Sequence, residues 1–351
     1  MKLRIVHIPL ICLSVAVAAQ ARAADPTLSE LFLQVDPAVV EIATVQQVVA
    51  DQGPARRVSS GSLGSGFLIS ADGQIMTAAH VVQVADQLSV RFVTGNVVAA
   101  RVVASDPSSD VALIKVESVP AGVTPITLGD SDSSKIGDQV FVIGAPFGIA
   151  HSMTVGYISG RRTPDKLFGG FETVELLQTD AAINEGNSGG PMFNMRGEAI
   201  GIVSHILSSS GGFQGIGFVI TSNLAKHLLI DDPTPWTGLY SVLVEGPLAR
   251  ALNIPQRAGT LVEGVAAGSP ASAIGLRPGN LKATIAGQTL TLGGDIILAV
   301  NGILVGSPDF SRKISDTVRA LTGDDRLVLR VLRDGDVIEL SKPVSVLGFD
   351  R

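Results

Sequence analysis

The feature that most constrains the fold is a rhythm of short Val- and Ile-rich runs, broken by glycine turns, across residues 28–230. Val39-Val40-Glu41-Ile42-Ala43-Thr44 is one such run. Ser65-Gly66-Phe67-Leu68-Ile69-Ser70 passes through Ala71-Asp72-Gly73 into Gln74-Ile75-Met76-Thr77. Residues 88–93 pass through Thr94-Gly95-Asn96 into residues 97–103. Asp-Gly and Gly-Asn steps between such runs are hairpin turns. Further strands are expected at 111–116 and 139–143. β-Branched side chains lose rotamer freedom in a helix and pack well on a pleated surface. Many short strands at this spacing therefore predict an antiparallel barrel or sandwich. Residues 53–64, small and polar, read as a loop. Residues 222–230 read as a helix capped by Ser222.

Asp231-Asp232-Pro233-Thr234-Pro235 cannot continue that helix, because two prolines lack the donors it needs. It is read as a linker (231–235) between a first unit, 24–230, and a second, 236–351. The second unit mixes element types. Helices are expected at 270–274 and 307–321, a strand at 295–301, and a final hairpin through Asp334-Gly335.

The chain opens with Lys2 and Arg4, an apolar run at 8–19, and then Ala21-Arg22-Ala23. This predicts an export signal over residues 1–23, cleaved after Ala23. An uncleaved anchor is the rival reading, although a spanning helix needs about 20 apolar residues. The mass of the mature protein separates the two. The single cysteine, Cys12, lies inside this segment. Beyond it no disulfide or thiolate site can form. Export without disulfides points to a bacterial periplasm. Net charge is −6 with no basic block, which argues against a nucleic-acid partner.

Gly186-Asn187-Ser188-Gly189-Gly190-Pro191 is the strongest local chemical signal. Small neighbours expose a serine oxygen, and successive N–H groups in such a turn can converge on an oxyanion. A plain Gly-Ser turn between strands is the alternative. Serine needs a base to become a nucleophile. After residue 23 the histidines are His80, His151, His205 and His227. His227 reads as a surface helix residue, and His151 and His205 as structural residues in strands. His80 follows two alanines that let other backbone approach its ring. Asp110 stands directly before the apolar run 111–116, where a carboxylate can be buried and aimed, or can simply cap a turn. A nucleophile elbow needs the order Ser, acid, His. No aspartate lies between Ser188 and His227, where only Glu198 could serve, and residues 192–200 read as a hairpin instead of the helix an elbow needs. The order His80, Asp110, Ser188 is that of chymotrypsin-type double barrels.

Gly64-Ser65-Gly66-Phe67-Leu68-Ile69, Thr77-Ala78-Ala79-His80-Val81-Val82, Ser109-Asp110-Val111-Ala112-Leu113-Ile114 and Asn184-Glu185-Gly186-Asn187-Ser188-Gly189-Gly190-Pro191 resemble the HtrA/Deg family of serine proteases. Leu128-Gly129-Asp130-Ser131-Asp132 and Gly215-Ile216-Gly217-Phe218 are similar too. The resemblance implies a mainly β chain, a chymotrypsin-like double β-barrel followed by one α+β PDZ domain. Gly268-Ser269-Pro270-Ala271, Gly275-Leu276-Arg277-Pro278-Gly279 and Gly294-Asp295-Ile296-Ile297 carry the PDZ part.

It further implies a His80–Asp110–Ser188 triad and an oxyanion hole from the N–H groups of Gly186 and Ser188. The specificity pocket would hold Ala182, Ile183 and Ile216. With Ala182 in place of the aspartate of trypsin-like pockets, cleavage after Val or Ala is expected. Trp236-Thr237-Gly238-Leu239 aligns with the peptide-binding loop of PDZ domains, which take C-termini or strands by β-augmentation. No cofactor or metal is implied. Expected partners are unfolded protein or peptide substrates and C-terminal peptides. A homotrimer joined through the first mature residues, Phe32 among them, is also implied. Glu185 and Ala145 depart from the usual family residues. Residues 161–170 resemble a regulatory loop, and 281–293 an insertion. A holdase, or a peptide-sensing protease with one partner, are the other functional classes.

Overall fold

The computed structural model describes residues 25–50, 57–145, 151–162, 174–184, 186–206, 212–285 and 287–349. The export signal expected at 1–23 lies outside them. The first described element, α1 (Leu28–Val35), starts at a capping box. The Thr27 side chain accepts from the Glu30 N–H, and the Glu30 carboxylate accepts from the Thr27 N–H.

Six antiparallel strands then close into a barrel: β1 (Val39–Val49), β2 (Arg57–Leu68), β3 (Gln74–Thr77), β4 (Gln87–Phe92), β5 (Val97–Asp106) and β6 (Val111–Val116). Around the barrel the order is β1-β2-β3-β6-β5-β4. A second closed barrel has the order β10-β11-β12-β9-β8-β7. Its strands are β7 (Gln139–Gly144), β8 (Ser152–Arg162), β9 (Leu176–Thr179), β10 (Pro191–Asn194), β11 (Ala199–Ile206) and β12 (Gly217–Thr221). Closure removes free strand edges, which open sheets must protect. This is the expected mainly β, chymotrypsin-like double barrel.

One apolar cluster runs through both barrels. It joins Ile42, Phe67, Met76 and Ile114 to Phe141, Ile143, Phe193 and Ile220. Phe141 and Phe193 are fully buried and stack with ring centroids 4.9 Å apart. Gly66 is needed for barrel closure at β2. A Cβ there would lie 2.8 Å from Ile42 Cδ1 and 2.9 Å from the Met76 carbonyl oxygen.

Beyond residue 238 a separate sheet has the order β13-β14-β17-β19-β20, with β18 paired to β17. Its strands are β13 (Leu239–Glu245), β14 (Ala258–Val265), β17 (Ile296–Val300), β18 (Ile303–Leu304), β19 (Arg326–Arg333) and β20 (Asp336–Pro343). Residues 281–293 hold a two-stranded hairpin, β15 (Leu281–Ile285) with β16 (Gln288–Leu292). The helix Phe310–Ala320 lays Phe310, Ile314 and Val318 on the core of this sheet, one face at helical spacing. Residues before the sheet are pinned to the first barrel. Pro235 bridges Ala104, and the Ser105 N–H donates to the Thr234 carbonyl at 3.0 Å.

Several expectations need correction. Residues 57–64, read as part of a loop, belong to β2, because their partners on β1 satisfy the backbone. Ser222 does not cap its helix. Thr221 holds the cap position, and the Ser222 hydroxyl donates to the Gly129 carbonyl at 2.6 Å. That helix, α-helical over Ser222–Lys226, loosens into a π-type turn over His227–Asp231. The later helix begins at Phe310 instead of residue 307.

Removing a large ring from a close-packed core leaves a cavity. Phe141→Ala should therefore lose about 3–5 kcal/mol, read as a lowered urea midpoint. An unchanged midpoint would contradict the shared core of the two barrels.

Candidate active site

His80 sits on a single helical turn, α2 (Ala79–Val82), that follows β3. Asp110 stands where the β5–β6 turn enters β6. Its φ of 54° is left-handed, a conformation aspartate adopts more readily than most residues. Asp106 shapes that turn by accepting from the Ser109 N–H at 2.9 Å and from the Ser108 hydroxyl. The result carries the Asp110 carboxylate to the imidazole. His80 Nδ1 lies 2.9 Å from both carboxylate oxygens, and the His80 N–H donates to Oδ1 at 3.0 Å. The Ser204 hydroxyl, reaching across from β11 of the second barrel, donates to Oδ2.

These contacts set the charges. Burial pushes the His80 pKa down, but its hydrogen bond and charge attraction to Asp110 outweigh this and raise it above that of a free histidine. Burial pushes Asp110 up, while the His80 and Ser204 hydrogen bonds more than offset this and hold its carboxyl below the usual range. Nδ1 bears the hydrogen facing Asp110, which leaves the Nε2 lone pair on the solvent side.

Ser188 lies on the turn before β10. Its hydroxyl donates to the Ser204 carbonyl at 3.4 Å, and among the described residues it has no hydrogen bond to His80. The turn is held by Ser65, which is completely buried. The Ser65 N–H donates to the Ser188 carbonyl at 2.8 Å, and the Ser65 hydroxyl donates to the Gly186 carbonyl at 2.6 Å. The same hydroxyl accepts from the Ala145 N–H at 2.9 Å. Within the turn the Gly189 N–H donates to Val203, and the Asn187 N–H to Asn184. The N–H groups of Gly186 and Ser188 meet no acceptor among the described residues. Gly189 has φ +83°, and a Cβ there would come within 2.2 Å of the Ser65 carbonyl and the Thr77 hydroxyl. Only glycine lets the turn approach the first barrel this closely.

Beside this turn, Ile183 is buried in the second-barrel core, with Ile206 and Phe213 packed against the same cluster. A Cβ on Gly217 would lie 2.5 Å from Ile183 Cδ1. The Ala182 carbonyl accepts from the Thr154 hydroxyl at 2.9 Å. Ile216 packs against the cluster that the two barrels share. His205 lies next to Ser204, with Nδ1 3.0 Å from the Ser204 hydroxyl, and its ring packs 5.1 Å from Phe218. His151 pairs with Asp36 at 2.6 Å, away from this site.

Residues 236–239 face the first barrel. Trp236 Nε1 donates to the Gln83 carbonyl at 3.0 Å, and Gln83 Nε2 donates to the Leu239 carbonyl at 2.9 Å. The carbonyls of Thr237 and Gly238 accept from Ala271 and Ala266. Beside this loop, Trp236, Asp86, Arg101 and Pro270 help line a cleft of about 270 Å³.

Sequence reasoning did not find Ser65, Ser204 or Phe213, and it read His205 as purely structural. Contacts made across barrels leave no periodic trace in a single chain. Glu185 and residues 163–170 of the expected regulatory loop lie outside the described residues.

A family model described as a trypsin-like peptidase domain matches residues 64–202. A protein of Pseudomonas putida named "Probable periplasmic serine endoprotease DegP-like" is 36% identical over 332 residues, covering 82% of this chain and 67% of its own length. A protein of the same name from Hahella chejuensis is 34% identical over 375 residues, covering 97% of this chain and 75% of its own length. Among solved structures, "HtrA-type protease AlgW with decapeptide" superposes with a TM-score of 0.52 at 30% identity, covering 91% of this chain and 98% of its own.

Ser65→Ala leaves the Gly186 carbonyl and the Ala145 N–H without their buried partner. It should cost about 1–3 kcal/mol, seen as a lower thermal midpoint. A wild-type midpoint would show that Ser65 does not hold the turn.

Proposed function

Because this chain belongs to the DegP-like, trypsin-like family of serine endoproteases, we propose that it cleaves unfolded exported proteins by acyl transfer from a His80–Asp110–Ser188 triad. The observation that carries this is the Asp110 carboxylate gripping both the backbone and Nδ1 of His80. That grip fixes the imidazole tautomer whose Nε2 can accept a proton. The 3.4 Å contact from Ser188 to the Ser204 carbonyl is long for an O–H donor. Substrate binding turns this hydroxyl to Nε2, since catalytic hydrogen bonds often tighten only in the bound complex.

His80 then takes the proton, and Ser188 Oγ attacks the peptide carbonyl carbon. The free N–H groups of Gly186 and Ser188 receive the oxyanion. His80 passes its proton to the leaving amine, and water hydrolyses the acyl-enzyme by the same steps. Ala182 and Ile183 favour a small aliphatic side chain before the cut, with Phe213 as a further wall.

Residues 236–239 are proposed to bind a peptide carboxylate. In support, the carbonyls of Thr237, Gly238 and Leu239 are turned inward onto the protein while the Gly238 N–H meets no acceptor among the described residues. The neighbouring β13 is the edge strand of its sheet, open to β-augmentation. The relatives are named periplasmic, which supports export through a signal at residues 1–23. Assembly as a trimer through α1 is also proposed. Leu33 is 72% exposed there, while Phe32 is already partly packed on the core. Light scattering at micromolar concentration should give three times the mature mass; a monomer would refute it.

Unfolded casein tests the reading directly. The wild type should cleave it with or without an added apolar C-terminal peptide, and Ser188→Ala should lose about 10⁶-fold in kcat. Full cleavage by that variant would overturn the assignment. Cleavage strictly dependent on the peptide would favour a peptide-sensing protease. The base must be neutral, so activity falls as pH drops through the His80 pKa. With that pKa raised, the acid limb of kcat/KM should lie above the pH of a free histidine. A limb below it would contradict the Asp110 contact.

A further inference from the structure

We propose that His205 is a positioning residue for the proposed triad, holding the Ser204 hydroxyl on Asp110. This rests on the reading of Asp110 as the group that orients His80. Ser204 has a single hydroxyl hydrogen, and it points to Asp110 Oδ2. His205 Nδ1 lies 3.0 Å from the same oxygen. With the hydrogen committed to Asp110, the oxygen offers His205 only lone pairs. Nδ1 must therefore carry its own hydrogen and donate.

The opposite tautomer reverses the chain. A bare Nδ1 would draw the Ser204 hydrogen toward itself, and Asp110 would lose one of its donors. The His205 ring thus decides which neighbour receives the only proton that Ser204 can give. A hydroxyl that accepts one hydrogen bond also becomes a better donor in the next. The result is a continuous chain, His205 to Ser204 to Asp110 to His80, running from the second barrel to the first.

The ring is held for this task. His205 lies in β11, directly paired in register with Phe218 of β12. The two rings pack with centroids 5.1 Å apart at 34°. Burial keeps the imidazole neutral, and the nearby His80 acts in the same direction, against the pull of Asp110. A neutral ring has one hydrogen to place, so its tautomer matters.

The test is steady-state kinetics of the full chain on a peptide substrate, with Leu and Asn at residue 205 and Ala at residue 204. Asn places an N–H close to the imidazole Nδ1, while Leu fills similar space with no donor. His205→Leu should lower kcat about 10-fold with KM little changed, the scale of one hydrogen bond. His205→Asn should recover most of that loss. In a Ser204→Ala background, His205→Leu should add nothing further. Equal losses for Leu and Asn, losses that multiply with Ser204→Ala, or a change confined to KM would each overturn the proposal. If the Leu variant does not fold, His205→Gln replaces it. Gln carries its amide toward the Nε2 position, so it should fail where Asn succeeds. Asp110→Asn separates the two readings. If it keeps full activity, the triad reading fails. If it is inactive while the 205 and 204 losses multiply, only the role of His205 fails.

Discussion

The Asp110 carboxylate is where the two barrels meet chemically, and a buried charge of this kind must be fully compensated to persist. Its compensation comes from both sides. The first barrel supplies the His80 N–H and imidazole, and the second supplies the Ser204 hydroxyl. Donors and acceptor are fixed by different parts of the fold: the His80 donors by α2 after β3, the Ser204 donor by the end of β11, and the Asp110 acceptor by the Asp106-shaped turn before β6. Displacing either barrel would strand a charge in the interior. The shared apolar core therefore does more than hold the chain together, because it fixes the distance over which this carboxylate is satisfied.

Ser65 plays the matching part for the serine turn. It stands on β2 of the first barrel, yet both its backbone and its side chain bind the turn that carries Ser188. The glycines at 189 and 190 allow this approach, since side chains there would overlap Ser65, Thr77 or Ile143. The proposed nucleophile is thus tied directly to the barrel opposite its own, and the proposed base is tied to the opposite barrel through Asp110 and Ser204. Gln83 extends the network outward. It ends the His80 helical turn and binds the loop 236–239 through its side chain and its carbonyl. The base and the proposed peptide loop are joined by one residue.

The legible part of the fold was its local chemistry. Val/Ile runs and Asp-Gly turns placed β3, β4, β6, β7 and β17 to within a residue but left β8, β9, β13 and β14 unread, and the helix Pro270–Ile274 lies where it is expected. Residues 57–64 misled, because glycine and serine read as a loop but are held in β2 by the length of β1 opposite. Ser222 misled for a related reason: its hydroxyl was claimed by a distant carbonyl, Gly129. In the site, His80, Asp110 and Ser188 stood out because their neighbours are small or strand-forming. Ser65, Ser204 and His205 did not. Ser65 and Ser204 matter through partners 80 to 121 positions away, Ala145 and Gly186 for Ser65 and Asp110 for Ser204, and His205 reaches the site only through Ser204, so no local pattern encodes these pairings.

The central claim is that Ser188 is made nucleophilic by His80 in the grip of Asp110. A fluorophosphonate that reacts only with activated serines tests it most directly, with the adduct located by peptide mass spectrometry. The account predicts one adduct, on Ser188, whose formation all but stops in His80→Ala. Labelling at another serine, or labelling of Ser188 at an unchanged rate without His80, would contradict it.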